Sequence, residues 1–276
     1  MILKCVKRGR FFYFMYAILR GCIIVILSFI PSHVHDKCSI SYNLKKLQNY
    51  FAKLNKLALV EVHGIRFVVM DYEALNIVLP EFERDVSRYI NYVSSKHREG
   101  VFLDVGAHVG KYSIAMAKRG WRVIALEPHP LNYSCLTLNA RINGCDIEAL
   151  PLAAFSSKRT LKLFLGDYSG RHSVIREGKK YILVRAEPID DILYSIGIPF
   201  DSVKLVKIDV EGAAVEVLKG MLNLMKYAKP DIIIEISREE RAAIGILKSL
   251  GYKIIPIIDK ELGTFGGTYY AYAEKR

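Results

Sequence analysis

Phe102-Leu-Asp-Val-Gly-Ala-His-Val-Gly110 is the stretch that decides the fold. Val101–Val105 is an apolar run of strand length, and Tyr112–Lys118 after it has helical periodicity. Between them, Gly106 and Gly110 allow a tight turn and a close approach of a ligand to the backbone. Working outward, strands and helices alternate. Arg122–Leu126 reads as a second buried strand, Pro130 to Asn143 as a helix, and Ile147–Leu152 as a third strand. Two or three hairpin-like stretches come next, at Thr160–Leu165, Ser173–Ile175 and Tyr181–Arg185. Val203–Ile208, Ile232–Ile236, Lys253–Ile258 and Thr268–Ala273 complete the strands, with helices over Ala213–Tyr227 and Arg238–Leu250. Upstream, Glu61–Val69 reads as a hairpin turning at Gly64, and Glu81–Ser95 as a helix with Phe82, Val86 and Ile90 on one face. Such alternation predicts an α/β, Rossmann-like domain over 61–276. A mostly parallel seven-stranded sheet should carry helices on both faces, with the site at the carboxyl ends of the strands.

Charge separates the first sixty residues from the rest. They hold ten Lys or Arg and one acidic residue, Asp36, whereas 61–276 holds thirty basic and twenty-seven acidic residues. The net charge of +12 is therefore mostly a property of the arm, and no nucleic acid partner is expected. Phe11 to Ile30 is twenty residues interrupted by Arg20, about the length that crosses a bilayer as a helix. Leu44, Leu47, Phe51, Leu54 and Ala58 interleave with lysines as a basic amphipathic helix over 42–58. The arm, 1–60, is thus expected to offer peripheral contact with the cytoplasmic face of a membrane. Packing of the 42–58 helix on the core is the equal alternative. Five cysteines, odd in number and without a CxxC pair, fit a reduced, cytoplasmic setting.

Two acidic residues sharpen the glycine turn. Asp104, two residues before Gly106, would repel a dinucleotide pyrophosphate but could meet the ammonium end of a methionine moiety. Glu127 closes the next strand, where a carboxylate can accept from ribose hydroxyls. Together with Ala107, His108, Gly110 and Pro128 they describe a site for S-adenosyl-L-methionine rather than a nicotinamide. Ala153 and Ala154 are placed by topology to lie against an adenine. The bland alternative makes Asp104 a helix cap and Glu127 a surface residue.

Four blocks occur in order: Asp104-Val-Gly-Ala-His-Val-Gly110, Glu127-Pro-His-Pro130, Lys207-Ile-Asp-Val-Glu-Gly212 and Ile232-Ile-Ile-Glu-Ile236. They resemble the FkbM-type methyltransferase family over roughly Glu81 to Ser237. The resemblance implies a Rossmann-like methyltransferase fold, S-adenosylmethionine as donor, and a hydroxyl acceptor on a sugar, polyketide or other small molecule. His108 stands where many members have Asn, and Ala214 where a Glu is usual.

Asp209 and Glu211 follow the strand Val203–Ile208. In-line methyl transfer needs alignment, and an alcohol acceptor must also lose its proton. Asp209 is expected to orient cofactor or acceptor, and Glu211 to act as base. The pair leaves open a divalent cation such as Mg²⁺. Alternatively, Asp209 caps the helix near Ala213. His172, in a segment that could cover the pocket, is a further candidate base, and Lys207 could pair with Asp209. The sequence lacks the Asn/Asp-Pro-Pro-aromatic pattern of enzymes that methylate exposed amino groups. O-methylation of a sugar, lipid-linked or other small-molecule acceptor is therefore the leading expectation. A non-catalytic methyltransferase-like binding protein and a nicotinamide-dependent oxidoreductase are the alternatives.

Overall fold

The computed structural model describes residues 57–257 apart from 81, 98 and 168, residues 268–273, and strands at 2–7, 10–19 and 22–27. Five strands open the chain: β1 (Ile2–Lys7), β2 (Arg10–Leu19), β3 (Cys22–Leu27), β4 (Ala58–Val62) and β5 (Ile65–Val69). They form one sheet in that order. Within 11–30, expected as a membrane-length helix, residues 11–19 and 22–27 lie in strands β2 and β3. Its aromatic and β-branched content explains this, since such side chains favour a pleated surface over a helix. No helix among the described residues is long and apolar enough to cross a membrane. The amphipathic helix expected over 42–58 lies outside the described residues up to 56, and Ala58 already opens β4. The β4–β5 hairpin turns at His63 and Gly64, both at positive φ, as a two-residue turn of the primed type requires.

The core strands follow: β6 (Val101–Val105), β7 (Arg122–Leu126), β8 (Ile147–Leu150), β9 (Ala153–Ala154), β10 (Arg159–Phe164), β11 (Tyr181–Glu187), β12 (Val203–Ile208), β13 (Asp231–Glu235), β14 (Tyr252–Pro256) and β15 (Thr268–Ala273). Seven of them make the central sheet in the order β14-β15-β13-β12-β6-β7-β8. All neighbours from β13 to β8 are parallel, and β15 runs antiparallel to both its partners. Every residue of β6 is buried, as expected of a central strand covered on both faces. One core layer packs Leu103, Val105 and Ile208 against Ile192, Leu218 and Leu224. The opposite layer packs Phe102 and Leu205 against Val86, Ile90 and Val93, which recur along one face of the helix Arg84–Lys96. The strand order reverses between β6 and β12, and a crevice opens there at the carboxyl ends.

Several boundaries differ from the sequence expectation. The stretch Ala213–Tyr227 is two helices, Ala214–Lys219 and Leu222–Tyr227. The break falls at Gly220, where a side chain would run into the Phe155 carbonyl. Ser173–Ile175 is not a strand; Ser173 makes an isolated bridge to Phe164. Short helices at Tyr72–Val78 and Ile189–Ser195 were not anticipated. The small sheet β10-β11-β9 flanks the crevice.

Candidate active site

At the end of β6 the chain turns through three left-handed residues, Gly106 (φ 81°), His108 (53°) and Gly110 (87°). The amides of Gly106 and Ala107 both donate to the Leu126 carbonyl, at 2.9 and 3.0 Å, which ties the turn to β7. On the other side, the Asp209 amide donates to the Val105 carbonyl at 3.0 Å. The fit is so close that a side chain at Gly106 would run into the Asp209 carbonyl. At Gly110 a Cβ would stand 2.6 Å from Leu136 Cδ1. Here glycine is demanded by backbone packing as well as by any ligand.

Glu127 is buried at the end of β7, and its two oxygens are used by the loops beside it. Oε2 accepts from the His108 amide at 2.8 Å, and Oε1 from the His129 amide at 2.9 Å. Burial outweighs these bonds and pushes its carboxyl up to about 7. Asp104 is buried too; its Oδ2 accepts from Ser113 Oγ at 2.6 Å, while Oδ1 has no partner. Burial raises its carboxyl above the usual range. Both ring nitrogens of His108 are likewise unpartnered. Burial brings its imidazole down to about 4, so it is neutral at physiological pH.

Across the crevice, Lys207 Nζ lies 2.9 Å from Asp209 Oδ2 and 5.1 Å from the Tyr112 ring centroid. Burial disfavours the lysine's charge, but Asp209, Glu83 and Asp104 together hold it above the ordinary lysine range. Asp209 behaves in the mirror sense: burial would raise it, yet Lys207 keeps it below the usual carboxylate range. Glu235, at the end of β13, is exposed to solvent. Asp209's charge, above all, pushes its carboxyl up to about 9. Glu211 is raised by burial and by Asp209, against the Arg176 guanidinium 3.1 Å away. Carboxylate oxygens of Asp209, Glu211 and Glu235 all lie within 4.8 Å of one another. Asp209 is not a cap: Ala213, which starts the helix Ala214–Lys219, makes no side-chain cap bond. The Ala214 amide donates instead to Glu240 Oε1, so a carboxylate from further along the chain serves that helix end. Asp104 does serve a helix start, since it bonds Ser113 in the first turn of the helix Lys111–Ala117.

A strap between β10 and β11 roofs the crevice. Ser169 donates through its amide and hydroxyl to Asp71, at 2.9 and 2.8 Å, and Asn132 Nδ2 donates to the Ser169 carbonyl at 3.1 Å. His172 Nδ1 accepts from the Gly166 amide at 3.1 Å, and its ring lies 4.1 Å from that of His129. Burial, then His129, brings its imidazole down to about 4. A neutral ring accepting at Nδ1 carries its proton on Nε2, which makes that nitrogen a donor.

The cavity measures about 250 Å³. Asp104, Gly106, Ala107, His108, Glu127 and Pro128 line it, as do Ala153, Ala154, His172, Asp209 and Glu211. Gly110 alone among the expected residues is not part of the wall. Sequence reasoning did not assign Glu83, Asn132, Glu235 or Asp71. Glu235 stood in a quoted block, and its place beside Asp209 follows once β13 is known to neighbour β12.

A doubly wound sheet with its seventh strand antiparallel, and an acidic residue ending each of β6 and β7, defines a methyltransferase-type α/β domain. The Methyltransferase FkbM domain family matches residues 104–254, over half of the chain, and the chain belongs to that family. The hexuronic acid methyltransferase AglP of Haloferax volcanii is 26% identical over 195 residues, covering 70% of this chain and 73% of that protein. The methyltransferase sdnD of Sordaria araneosa is 28% identical over 153 residues, covering 43% of this chain and 59% of that protein. A solved FkbM methyltransferase from Methylobacillus flagellatus is similar at 18% identity with a TM-score of 0.46, over 63% of this chain and 44% of that one. The chain thus spans less than two thirds of the sdnD protein and of the solved chain.

Proposed function

We propose that this protein methylates a hydroxyl of a sugar or other small-molecule acceptor, with S-adenosylmethionine as donor. The observation that carries the proposal is the unpartnered, buried Asp104 Oδ1 in the same cavity as the Asp209–Glu211 pair. A buried carboxylate oxygen without a donor costs free energy, and an ammonium group would satisfy it. Two further features support this donor: Glu127 lines the cavity and would accept from ribose hydroxyls, and Ala153 and Ala154 would offer small apolar surface to an adenine. Bound there, the donor supplies an electrophilic methyl on a sulfonium.

The rest falls to this chain's side chains. Asp209, held ionised by Lys207, orients the acceptor hydroxyl by accepting its hydrogen bond. Glu211, more basic than Asp209 because burial and Asp209 both raise it, would take the proton that the acceptor hydroxyl gives up. His172 stands over the same space as a neutral donor toward acceptor oxygens. A divalent cation on Asp209, Glu211 and Glu235 is a second reading, favoured by their mutual distances. Lys207 already supplies a positive charge 2.9 Å from Asp209, which supports the ion-free version. The AglP relative acts on a hexuronic acid, and this favours a sugar among the possible acceptors.

Calorimetric titration with S-adenosylmethionine and S-adenosylhomocysteine tests the donor, beside Asp104→Ala and Glu127→Ala. Micromolar binding weakened at least tenfold in both variants is expected. A folded protein that binds neither compound sinks the proposal. Transfer of labelled methyl to hydroxylated sugars, with Mg²⁺ or with chelator, then tests acceptor and ion.

A further inference from the structure

The cavity is lined mainly by acidic side chains. Seven carboxylates and two lysines line it among the described residues. Lys207 is paired with Asp209, and Lys111 Nζ donates to the Leu79 and Phe82 carbonyls at 3.2 and 2.7 Å. Such an interior suits a cationic donor and repels an anionic acceptor. Residues 156–187 reverse the balance, with eight Lys or Arg against three Asp or Glu. The remainder of 61–276 holds twenty-two against twenty-four.

Two arginines of this basic segment pair with glutamates of the cavity wall. Arg171 Nε is 3.6 Å from Glu73 Oε1, and Arg176 Nη1 is 3.1 Å from Glu211 Oε2; both glutamates line the cavity. The arginine side chains are 66% and 60% exposed while each holds a glutamate of the wall. Arg176 is held in place by the turn beneath it. Gly212, at φ 100°, has Arg176 Nε 3.7 Å from where a Cβ would lie, and Ser173 Oγ donates to the Glu211 carbonyl at 2.6 Å.

We propose that Arg171 and Arg176 form an anion-reading rim that takes a carboxylate of the acceptor, so that the site selects an acidic sugar over its neutral counterpart. The inference rests on the O-methylation reading above and deepens it. A guanidinium has five N–H donors in a planar fork, and one bond to Glu211 leaves donors for a bidentate carboxylate. Glu211 lies between Arg176 and Asp209. A pyranose whose carboxylate rests on Arg176 therefore brings a ring hydroxyl toward the Asp209–Glu211 side. The same arginines neutralise the potential that would otherwise turn an anion away from the cavity.

The test uses the full chain loaded with S-adenosylhomocysteine, titrated with p-nitrophenyl β-glucuronide and p-nitrophenyl β-glucoside. The glucuronide is expected to bind at least about tenfold tighter, a preference that narrows in about 0.5 M NaCl. Arg176→Ala and Arg171→Ala each lower glucuronide affinity about tenfold and leave the affinities for glucoside and S-adenosylhomocysteine in place. Arg176→Lys restores only part, because an ammonium cannot make the bidentate contact. Equal binding of the two sugars, or binding of neither, overturns the rim. So does a loss in the variants that falls alike on both sugars and S-adenosylhomocysteine, since that marks the arginines as ties for the strap. If S-adenosylhomocysteine itself does not bind the wild type, the donor reading fails instead. The sugars titrated alone then decide the rim by the same glucuronide preference and its loss in Arg176→Ala.

Discussion

Lys207 and Asp209 leave the end of β12 two residues apart, and their side chains meet at 2.9 Å beneath the cavity. The lysine is 5% exposed, and the two groups shift each other in opposite senses. Lys207 is raised from 10.5, so its contribution to stability is complete below that pH and is lost as pH climbs through the folded value. Asp209 is lowered from 3.8, so its contribution is present above that pH and is lost as pH falls through the folded value. The pair therefore stabilises the fold throughout the neutral range. Lys207→Met leaves Asp209 and Asp104 without their cation and is expected to cost about 3 kcal/mol. Urea unfolding at pH 7 measures it; a loss below about 1 kcal/mol contradicts a buried, coupled pair.

Gly106→Ala and Gly120→Ala form a matched test. Both glycines have φ near +80°, but only Gly106 faces the Asp209 carbonyl, whereas Gly120 has nothing within 4 Å of a Cβ. Gly120→Ala should cost about 1 kcal/mol, the conformational penalty alone. Gly106→Ala should cost at least twice that, and it should weaken S-adenosylhomocysteine binding at least about tenfold by prising β6 from β12. Melting temperatures and calorimetry on the two variants settle it.

Glu127 should make donor affinity depend on pH near neutrality. Its carboxyl is pushed from 4.5 to about 7, so the ionised form that accepts ribose hydroxyls is lost as pH falls below 7. Affinity for S-adenosylhomocysteine should drop between pH 8 and 6, and the profile should flatten in Glu127→Gln. Linkage gives a second readout. A carboxyl raised in the folded state loses stability as pH rises from 4.5 to 7, by up to about 3 kcal/mol in total. The wild-type melting temperature should therefore fall more steeply over that window than the variant's.

Asp71 should control how tightly the strap closes. Its side chain caps the helix Tyr72–Val78 at Ala74, 2.7 Å away, and takes both hydrogen bonds from Ser169. Asp71→Ala is expected to cost about 1–3 kcal/mol. Hydrogen exchange should rise in 165–176 more than in the central sheet. Unchanged protection of that segment would show that the strap is held by other contacts.

Much of the fold was legible because parallel strands buried on both faces print as apolar runs, and glycine turns mark where each run ends. Val101–Val105, Arg122–Leu126 and Val203–Ile208 were delimited in this way to the residue. The arm misled because Phe11 to Ile30 is apolar enough for a helix in lipid and β-rich enough for strands, and periodicity does not choose between them. The single long helix expected over Ala213–Tyr227 failed at Gly220, whose reason is a contact with Phe155, sixty-odd residues earlier in the chain.

Local sequence determined the chemistry available: a glycine turn after a buried strand, an acidic residue ending each of β6 and β7, and Asp209 and Glu211 two residues apart. These needed only residue type and spacing, because a strand end and the turn after it are neighbours in the chain. Tertiary structure decided which of the charges meet. Glu235 reached Asp209 through strand order, Glu83 reached Tyr112 at 2.8 Å from an earlier turn, and Asp71 reached Ser169 across the strap. It also decided what burial did to each group, raising Glu127 and lowering His108. Desolvation and through-space charge depend on what packs around a side chain, and the linear sequence carries no direct record of that.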